Sequence, residues 1–433
     1  MIKLEKITFY LFVFCIPFQT RTIIRSWGIG FNEWESAFLY LTDLFILALL
    51  GFWFLRGGKK GGLEINFQKQ DWFLVGFIVF SGISLLKATN VDLGIYQLLK
   101  ILEFVGLYFY IKSNFSKIFN FKNAFLTLIV SGLFQSIIAI GQYIKQASLG
   151  LKILGESNFE IGTPGIASFI VNGWKTIRAY GTTPHPNVLA LFLFVCVFSF
   201  FALWLYSKDK QKNKKDWWFL LIYGVSIFGF LFTFSRVFIG LFTLGVIIRI
   251  LIFLFKKEFR VNKNFLKRFG ALIVFTLIIG LIFTAAFWSQ AFNRLNISGQ
   301  EEAVTLRMFY QKVTLEKIPL LGIGTGNFVV WLSNQIPNLN SSLYQPVHSI
   351  YFLIMKEIGL FGLLLFLAFL ILLFIDYLKK QDFSKFFSYS FLILCVSILV
   401  SGLFDHLLWT SQQGSILLWT ILGMAGALNK RQE

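Results

Sequence analysis

The chain has 433 residues, of which 56% are hydrophobic, with 55 phenylalanines and a mean hydropathy of +0.71. A soluble globular surface cannot carry that apolar fraction without aggregating, and a β-barrel would show short stretches of alternating polarity instead of continuous apolar runs. The net charge of +19 is concentrated in the connectors that flank those runs, so it reads as membrane topology rather than as a nucleic-acid surface, and no nucleic-acid partner is expected.

A bilayer core needs roughly 20 apolar residues per helical crossing. On that measure the sequence predicts an all-α, polytopic transmembrane bundle of about 12 spans, a single integral membrane domain over residues 1–433. The spans are placed at 7–20, 37–55, 72–87, 96–111, 123–143, 187–206, 217–234, 237–255, 269–288, 349–375, 386–404 and 413–429. Lys3 and Lys6 before the first run resemble the start of a signal peptide, but Pro17-Phe18-Gln19 is a poor cleavage site, so an uncleaved first span is expected. The cations of Lys3, Lys6, the 56–69 connector, Lys112 to Lys122, the runs 208–215 and 256–268, residues 379–385, Lys430 and Arg431 fall on one side. That side holds about twice the Lys and Arg of the other in less sequence, which makes it cytoplasmic and puts both termini there.

Two long loops then face outward, 144–186 and 289–348. The second contains a helical stretch, Glu301 to Lys317, expected at the membrane interface and ended by Pro319. The cysteines Cys15, Cys196 and Cys395 all sit in apolar spans and show neither metal-ligand spacing nor a disulfide framework. No Cys/His/Asp cluster has metal spacing, so no metal and no cofactor is expected.

The polar residues on the outer side are few and specific. All three histidines, His185, His348 and His406, fall there, each where a loop meets an apolar span. A histidine in such a place is commonly structural, yet it is also the side chain best suited to move a proton near neutral pH. Arg236 lies in Thr233-Phe234-Ser235-Arg236-Val237 between two apolar runs. It is either a snorkelling anchor or an anion contact, and an outward arginine favours the second. Arg178 precedes a segment running through His185 to Asn187, and Arg307 lies on the loop helix. Planar guanidinium groups grip phosphate oxygens two at a time, so several of them at the outer lip suit a lipid diphosphate. Gly322, Gly324 and Gly326 lack the strand and the Lys-Ser/Thr pair of a nucleotide loop and read as tight turns. Within the spans, Asp43, Glu103 and Glu357 are the acidic candidates, with Lys356 and Glu357 able to pair or snorkel.

Four stretches together resemble the O-antigen ligase and polymerase superfamily of bacterial surface-glycan enzymes. They are Arg178 to Asn187, Phe234-Ser235-Arg236, Arg307 to Phe328 with its Gly-x-Gly-x-Gly-Asn327-Phe328 end, and His348-Ser349-Ile350-Tyr351 followed by Glu357-Ile358-Gly359-Leu360-Phe361-Gly362. Ser349 stands where the pattern has Asn, and Val237 where it has a small residue. The resemblance implies a GT-C-like glycosyltransferase of the bacterial inner membrane that works on the extracytoplasmic side and transfers a glycan with inversion. Its donor would be an undecaprenyl-diphosphate-linked glycan, its acceptor a glycan, lipid or protein, with membrane lipids around it. It further implies Arg236 and Arg307, with Arg178, on the diphosphate, and His348 as the base on the acceptor hydroxyl. Ser235 and Asn327 come with their motifs as substrate contacts, and His185 and Asn187 are given positioning roles. Asp405 and His406 are an acceptor-side pair or a structural junction. The alternative is a transporter or flippase of lipid-linked glycans, which needs ionisable residues at mid-span. A non-catalytic scaffold would not need the outer arginines.

Overall fold

A computed structural model describes residues 1–28, 30–58, 65, 67–206, 216–295 and 302–428. The lysine run 208–215, most of the 56–69 connector, Glu301, Lys430 and Arg431 lie outside the described residues.

In lipid every backbone amide must be satisfied within its own segment, and the apolar runs accordingly coil into helices. The chain begins with α1 (Ile2–Cys15) and a hairpin, β1 (Arg21–Ser26) with β2 (Ser36–Tyr40), followed by α2 (Leu41–Gly58), α3 (Lys69–Ser84), α4 (Val91–Asn114) and α5 (Phe121–Lys145). A second hairpin, β3 (Ser168–Val171) with β4 (Trp174–Ile177), precedes α6 (Pro186–Tyr206), α7 (Asp216–Leu231), α8 (Arg236–Phe255), α9 (Lys257–Val261) and α10 (Lys263–Ala286). Then come the short α11 (Trp288–Leu295), α12 (Glu302–Leu315) and α13 (Phe328–Gln335). The chain ends with α14 (Ile350–Glu357), α15 (Leu360–Lys380), α16 (Phe386–Ser401), α17 (Leu407–Thr410) and α18 (Gln412–Leu428). Side-chain caps fix several starts: Asn90, Asn120 and Asn262 accept from the amides of Leu93, Asn123 and Phe265, and Gln68 with Asp71 forms a capping box on α3.

Each predicted span overlaps a helix, but the lengths differ from expectation. Among the described residues, eight helices (α2, α3, α4, α5, α6, α8, α10 and α15) are long and apolar enough to cross a membrane, while α7 and α16 are shorter apolar helices. The predicted span 7–20 ends at Cys15, just before Pro17. The predicted span 349–375 is broken into α14 and α15 at Gly359, whose φ of +96° no ordinary side chain adopts cheaply. A Cβ there would strike the Leu320 carbonyl, and one on Gly322 would strike the Glu357 carbonyl. The two glycines let the 319–326 segment lie against the break. There Leu360 donates to the Pro319 carbonyl at 3.0 Å, Ile323 to that of Lys356 at 3.0 Å and Gly324 to that of Glu357 at 3.1 Å. The chain thus re-satisfies the groups that a broken helix leaves open.

α6 is the central element, with 83% of its apolar window buried, against 22% for α8 and α10, whose outer faces suit lipid. Polar groups inside the bundle are tied to one another: Lys112 to Asp71 at 2.5 Å, Arg56 to Glu5 at 3.1 Å and Lys100 to Asp43 at 2.6 Å. Lys356 and Glu357 do not pair. The Lys356 ammonium donates to the Lys317 carbonyl at 2.7 Å and lies over the Trp331 ring, and the Glu357 carboxylate accepts from the Phe328 amide and the Trp409 indole, both at 3.3 Å. Neighbours in sequence point about 100° apart around a helix, and here they reach different partners.

Candidate functional site: a guanidinium and imidazole cluster

Four separate parts of the chain supply this site: the end of loop 144–186 with the first turn of α6, the α7–α8 corner, α11 and α12 with the segment before α14, and the α16–α17 junction. The α7–α8 corner is the tightest. Phe234 has φ +45°, a left-handed conformation that costs a non-glycine residue about 1–3 kcal/mol. Its ring is held against Phe169 at 5.1 Å, Tyr143 at 5.7 Å and Phe283 at 5.7 Å. The strained turn puts Ser235 at the position just before α8 and starts that helix at Arg236. The Arg236 Nε donates to the Arg294 carbonyl of α11 at 2.6 Å.

Arg178 is buried, and its guanidinium bridges two elements. Nε donates to the Thr233 carbonyl of the α7–α8 corner at 2.7 Å, and an Nη donates to the Asn187 Oδ1 at 2.6 Å. Burial, reinforced by the nearby Arg294 charge, pushes Arg178 down to about 9, which leaves it cationic at neutral pH. Asn187 passes the contact on, since its Nδ2 donates to Asp405 Oδ2 at 2.9 Å while the other Asp405 oxygen accepts from the His406 amide at 2.8 Å. Burial alone would raise the Asp405 carboxyl, but the imidazoles of His406, His348 and His185 and the Asn187 amide reverse this and hold it below the usual range.

The imidazoles converge on this carboxylate. The His348 and His406 rings lie 5.1 Å apart, and His406 Nδ1 meets the Thr410 hydroxyl at 2.6 Å. His185 Nδ1 accepts from the Asn187 amide at 3.1 Å. Tyr310 of α12 lies parallel to His348 at 6.0 Å, and Arg307 sits one turn before Tyr310 on the same face. Burial, with the Arg307 charge adding to it, drives His348 well below its ordinary value. Burial also lowers His185 and His406. All three are therefore neutral near pH 7 and able to accept a proton. The buried Nδ1 of His348 and the buried Nε of Arg307 have no hydrogen-bond partner among the described residues. Leaving such groups unsatisfied costs about 1–3 kcal/mol each, which argues for a ligand at this place.

The structure gathers Arg178, His185, Asn187, Ser235, Arg236, Arg307, His348, Asp405 and His406 into this region through these links. Asn327 stands apart. Its amide accepts from the Asn90 N–H at 2.7 Å and donates to the Asn90 and Thr325 carbonyls at 3.1 Å, so it clamps the glycine-rich segment to the α3–α4 turn. The three glycines of that segment all have positive φ and make turns. Sequence reasoning missed Arg294, which also lies over the Phe169 ring at 5.6 Å. It missed Tyr310 as well. The i, i+3 spacing from Arg307 was the signal for Tyr310, whereas no local pattern marked Arg294.

In comparison with known families, residues 220–367 fit the family model described as O-antigen ligase. No curated protein matches the chain. The matched stretch contains Arg236, Arg307, Asn327 and His348. Arg178, His185, Asn187, Asp405 and His406 lie outside it, yet the fold joins them to His348.

Proposed function

With an O-antigen ligase domain at residues 220–367, the chain is a member of the O-antigen ligase superfamily, a membrane enzyme of the ligase and polymerase type, and on that footing we propose that it transfers a glycan from an undecaprenyl-diphosphate carrier to an acceptor hydroxyl. The observation that carries this reading is the pair of buried, unpartnered groups, His348 Nδ1 and Arg307 Nε, in a site that also holds Arg178 and Arg236.

In the proposed reaction the acceptor hydroxyl gives its proton to His348 as its oxygen attacks the anomeric carbon of the donor sugar. The bond from that carbon to the diphosphate oxygen breaks with inversion. The negative charge that builds on the departing diphosphate is met by Arg307 and Arg236, with Arg178 beside them. The energy for transfer lies in the sugar–diphosphate bond, so the residues need only align the two substrates and stabilise the leaving group. Asn187 and Asp405 position the group by linking Arg178 to the imidazoles.

The depressed basicity of His348 becomes useful here. Burial disfavours protonation of the ring, and the Arg307 charge adds to that. A bound diphosphate neutralises that charge and raises the imidazole toward the range in which a base works best. Donor binding would then switch the base on. The site faces outward by the positive-inside rule, as the lipid carrier and the surface glycan require.

The transporter reading fits less well. The bundle's acidic groups at Asp71, Glu5 and Asp43 are each closed in an ion pair, so they do not offer a free relay across the bilayer.

The test is reconstitution with an undecaprenyl-diphosphate-linked glycan and candidate acceptors, with product size read on a gel. A ladder identifies a polymerase and a single transferred unit or block a ligase. Wild-type protein that binds the donor yet forms no product with any glycan, lipid or protein acceptor would count against the proposal.

A further inference from the structure

Beside the arginine cluster, a cleft opens between the first hairpin, α4 and the start of α18. It touches the site along one edge. Trp34, from the turn joining β1 to β2, lines the cleft and packs edge-on against His406 at 6.0 Å, and Thr410 lines it while bonding His406 Nδ1. On α4 the lining runs from Leu93 to Phe104, about 16 Å of helix at 1.5 Å per residue.

The chemistry of this cleft is opposite to that of its neighbour. None of Arg178, Arg236, Arg294 and Arg307 lines it. Its ammonium, Lys100, is held by Asp43 at 2.6 Å and Glu103 at 3.2 Å, and its Glu33 by Arg21 at 2.7 Å. With Glu357 also in the wall, a phosphate or a carboxylate would meet acidic oxygens and no available cation. The walls are instead aromatic, with Trp34, Tyr96 and Trp409 among them. The Gln97 side-chain amide is also part of the wall. Aromatic faces suit the C–H faces of a sugar ring, and an amide that both donates and accepts suits its hydroxyls. The wall is also prebuilt, because the Tyr96 hydroxyl donates to the Phe38 carbonyl at 3.0 Å and accepts from the Phe38 amide at 3.1 Å, which pins the hairpin to α4.

We propose that this cleft binds the acceptor as the terminal sugars of an uncharged glycan and presents a hydroxyl past Trp34 to the imidazoles. This assignment rests on the transferase reading for its role, while the binding itself can be measured apart from it. The division of charge then sorts the substrates: the diphosphate goes to the guanidinium side and the neutral glycan to the aromatic side, so a lipid diphosphate does not block the acceptor path.

The experiment uses the full chain in lipid nanodiscs. Maltotetraose and tetraacetylchitotetraose serve as neutral probes and tetragalacturonate as the anionic one, followed by saturation-transfer NMR, with undecaprenyl diphosphate binding measured in parallel. A neutral probe should bind wild type, and Trp34→Ala and Gln97→Ala should each weaken it about tenfold, the loss of one good stacking or hydrogen-bonding contact. Both variants should keep wild-type affinity for undecaprenyl diphosphate, and Trp34→Phe should recover part of the glycan binding. Should Trp34→Ala also lose diphosphate binding, Gln97→Ala decides alone. Binding of no neutral probe, unchanged binding in Gln97→Ala, or tetragalacturonate bound as well as the neutral probes overturns the proposal. Failure of wild type to bind undecaprenyl diphosphate strikes the transferase reading instead and leaves the glycan result to stand by itself.

Discussion

His348 owes its proposed role to its surroundings. Its ordinary value of 6.5 is driven down by burial and by nearby positive charge, so the base form persists as the pH falls through 6.5. The acid limb of kcat/KM for the donor, which reports the free enzyme, should therefore lie below pH 6.5. The limb of kcat, which reports the complex, should lie higher, because bound phosphates raise the imidazole. A pH–rate profile with both limbs at the same pH would show that donor charge and base are not linked. His348→Ala should abolish transfer with expression and membrane insertion intact, and full activity in that variant would remove the residue from the mechanism. The same three neutral imidazoles carry a stability consequence. The unfolded chain protonates at about 6.5 while the buried rings in the fold do not, so falling pH favours the unfolded state from that point down. Thermal melts in detergent should show the midpoint dropping as the pH is lowered from 7 to 5, and a flat profile would contradict the burial of neutral histidines. At this scale the sequence revealed the titratable groups by their rarity in apolar surroundings. It could not reveal that Asn187 joins Arg178 to Asp405, a link across 218 positions that only the fold closes. It also placed Asn327 with the substrate by motif alone, whereas its amide is engaged by the Asn90 backbone.

Elements, not single residues, explain the broken helix and the two hairpins. Hydropathy located the helices because continuous apolar runs leave no other structure in lipid. It joined α14 to α15 because Gly359 interrupts the run without making it polar, and the need for a left-handed residue there comes from the 319–326 segment lying against it. Gly359→Ala combines a positive φ with a contact on the Leu320 carbonyl, and should lower stability by at least about 1–2 kcal/mol. A detergent melt checks this, and a wild-type midpoint would mean that the segment moves away at no cost. The hairpins β1–β2 and β3–β4 were missed for a different reason. Their strands have six, five, four and four residues, too short for an alternating pattern to stand out beside the spans. Asn187→Ala probes the link between elements. It removes both the Arg178 and the Asp405 contact and should cut kcat by about ten- to a hundredfold, as loss of a supporting hydrogen bond does at other catalytic groups, with donor KM less affected.

The proposed outward orientation belongs to the scale of the whole molecule. The peripheral α8 and α10 expose apolar faces, while α6 is enclosed, so the site at the first turn of α6 is walled by protein. Single cysteines at Ile161 and Ser384, in a background lacking the three native ones, should label in opposite ways. Ile161 in loop 144–186 should react with an impermeant thiol reagent in intact cells, and Ser384 only after the membrane is opened. The reverse pattern would invert the topology. Activity should also survive excess chelator if, as proposed, guanidinium groups stabilise the phosphates, and a loss restored by a divalent cation would overturn that expectation.

The most direct measurement is binding of undecaprenyl diphosphate to the purified chain in nanodiscs, in wild type and in Arg307→Ala, Arg236→Ala and His348→Ala. The account predicts saturable binding that weakens about tenfold or more in each arginine variant and remains near wild type in His348→Ala. Affinity unchanged by the loss of either arginine would contradict it.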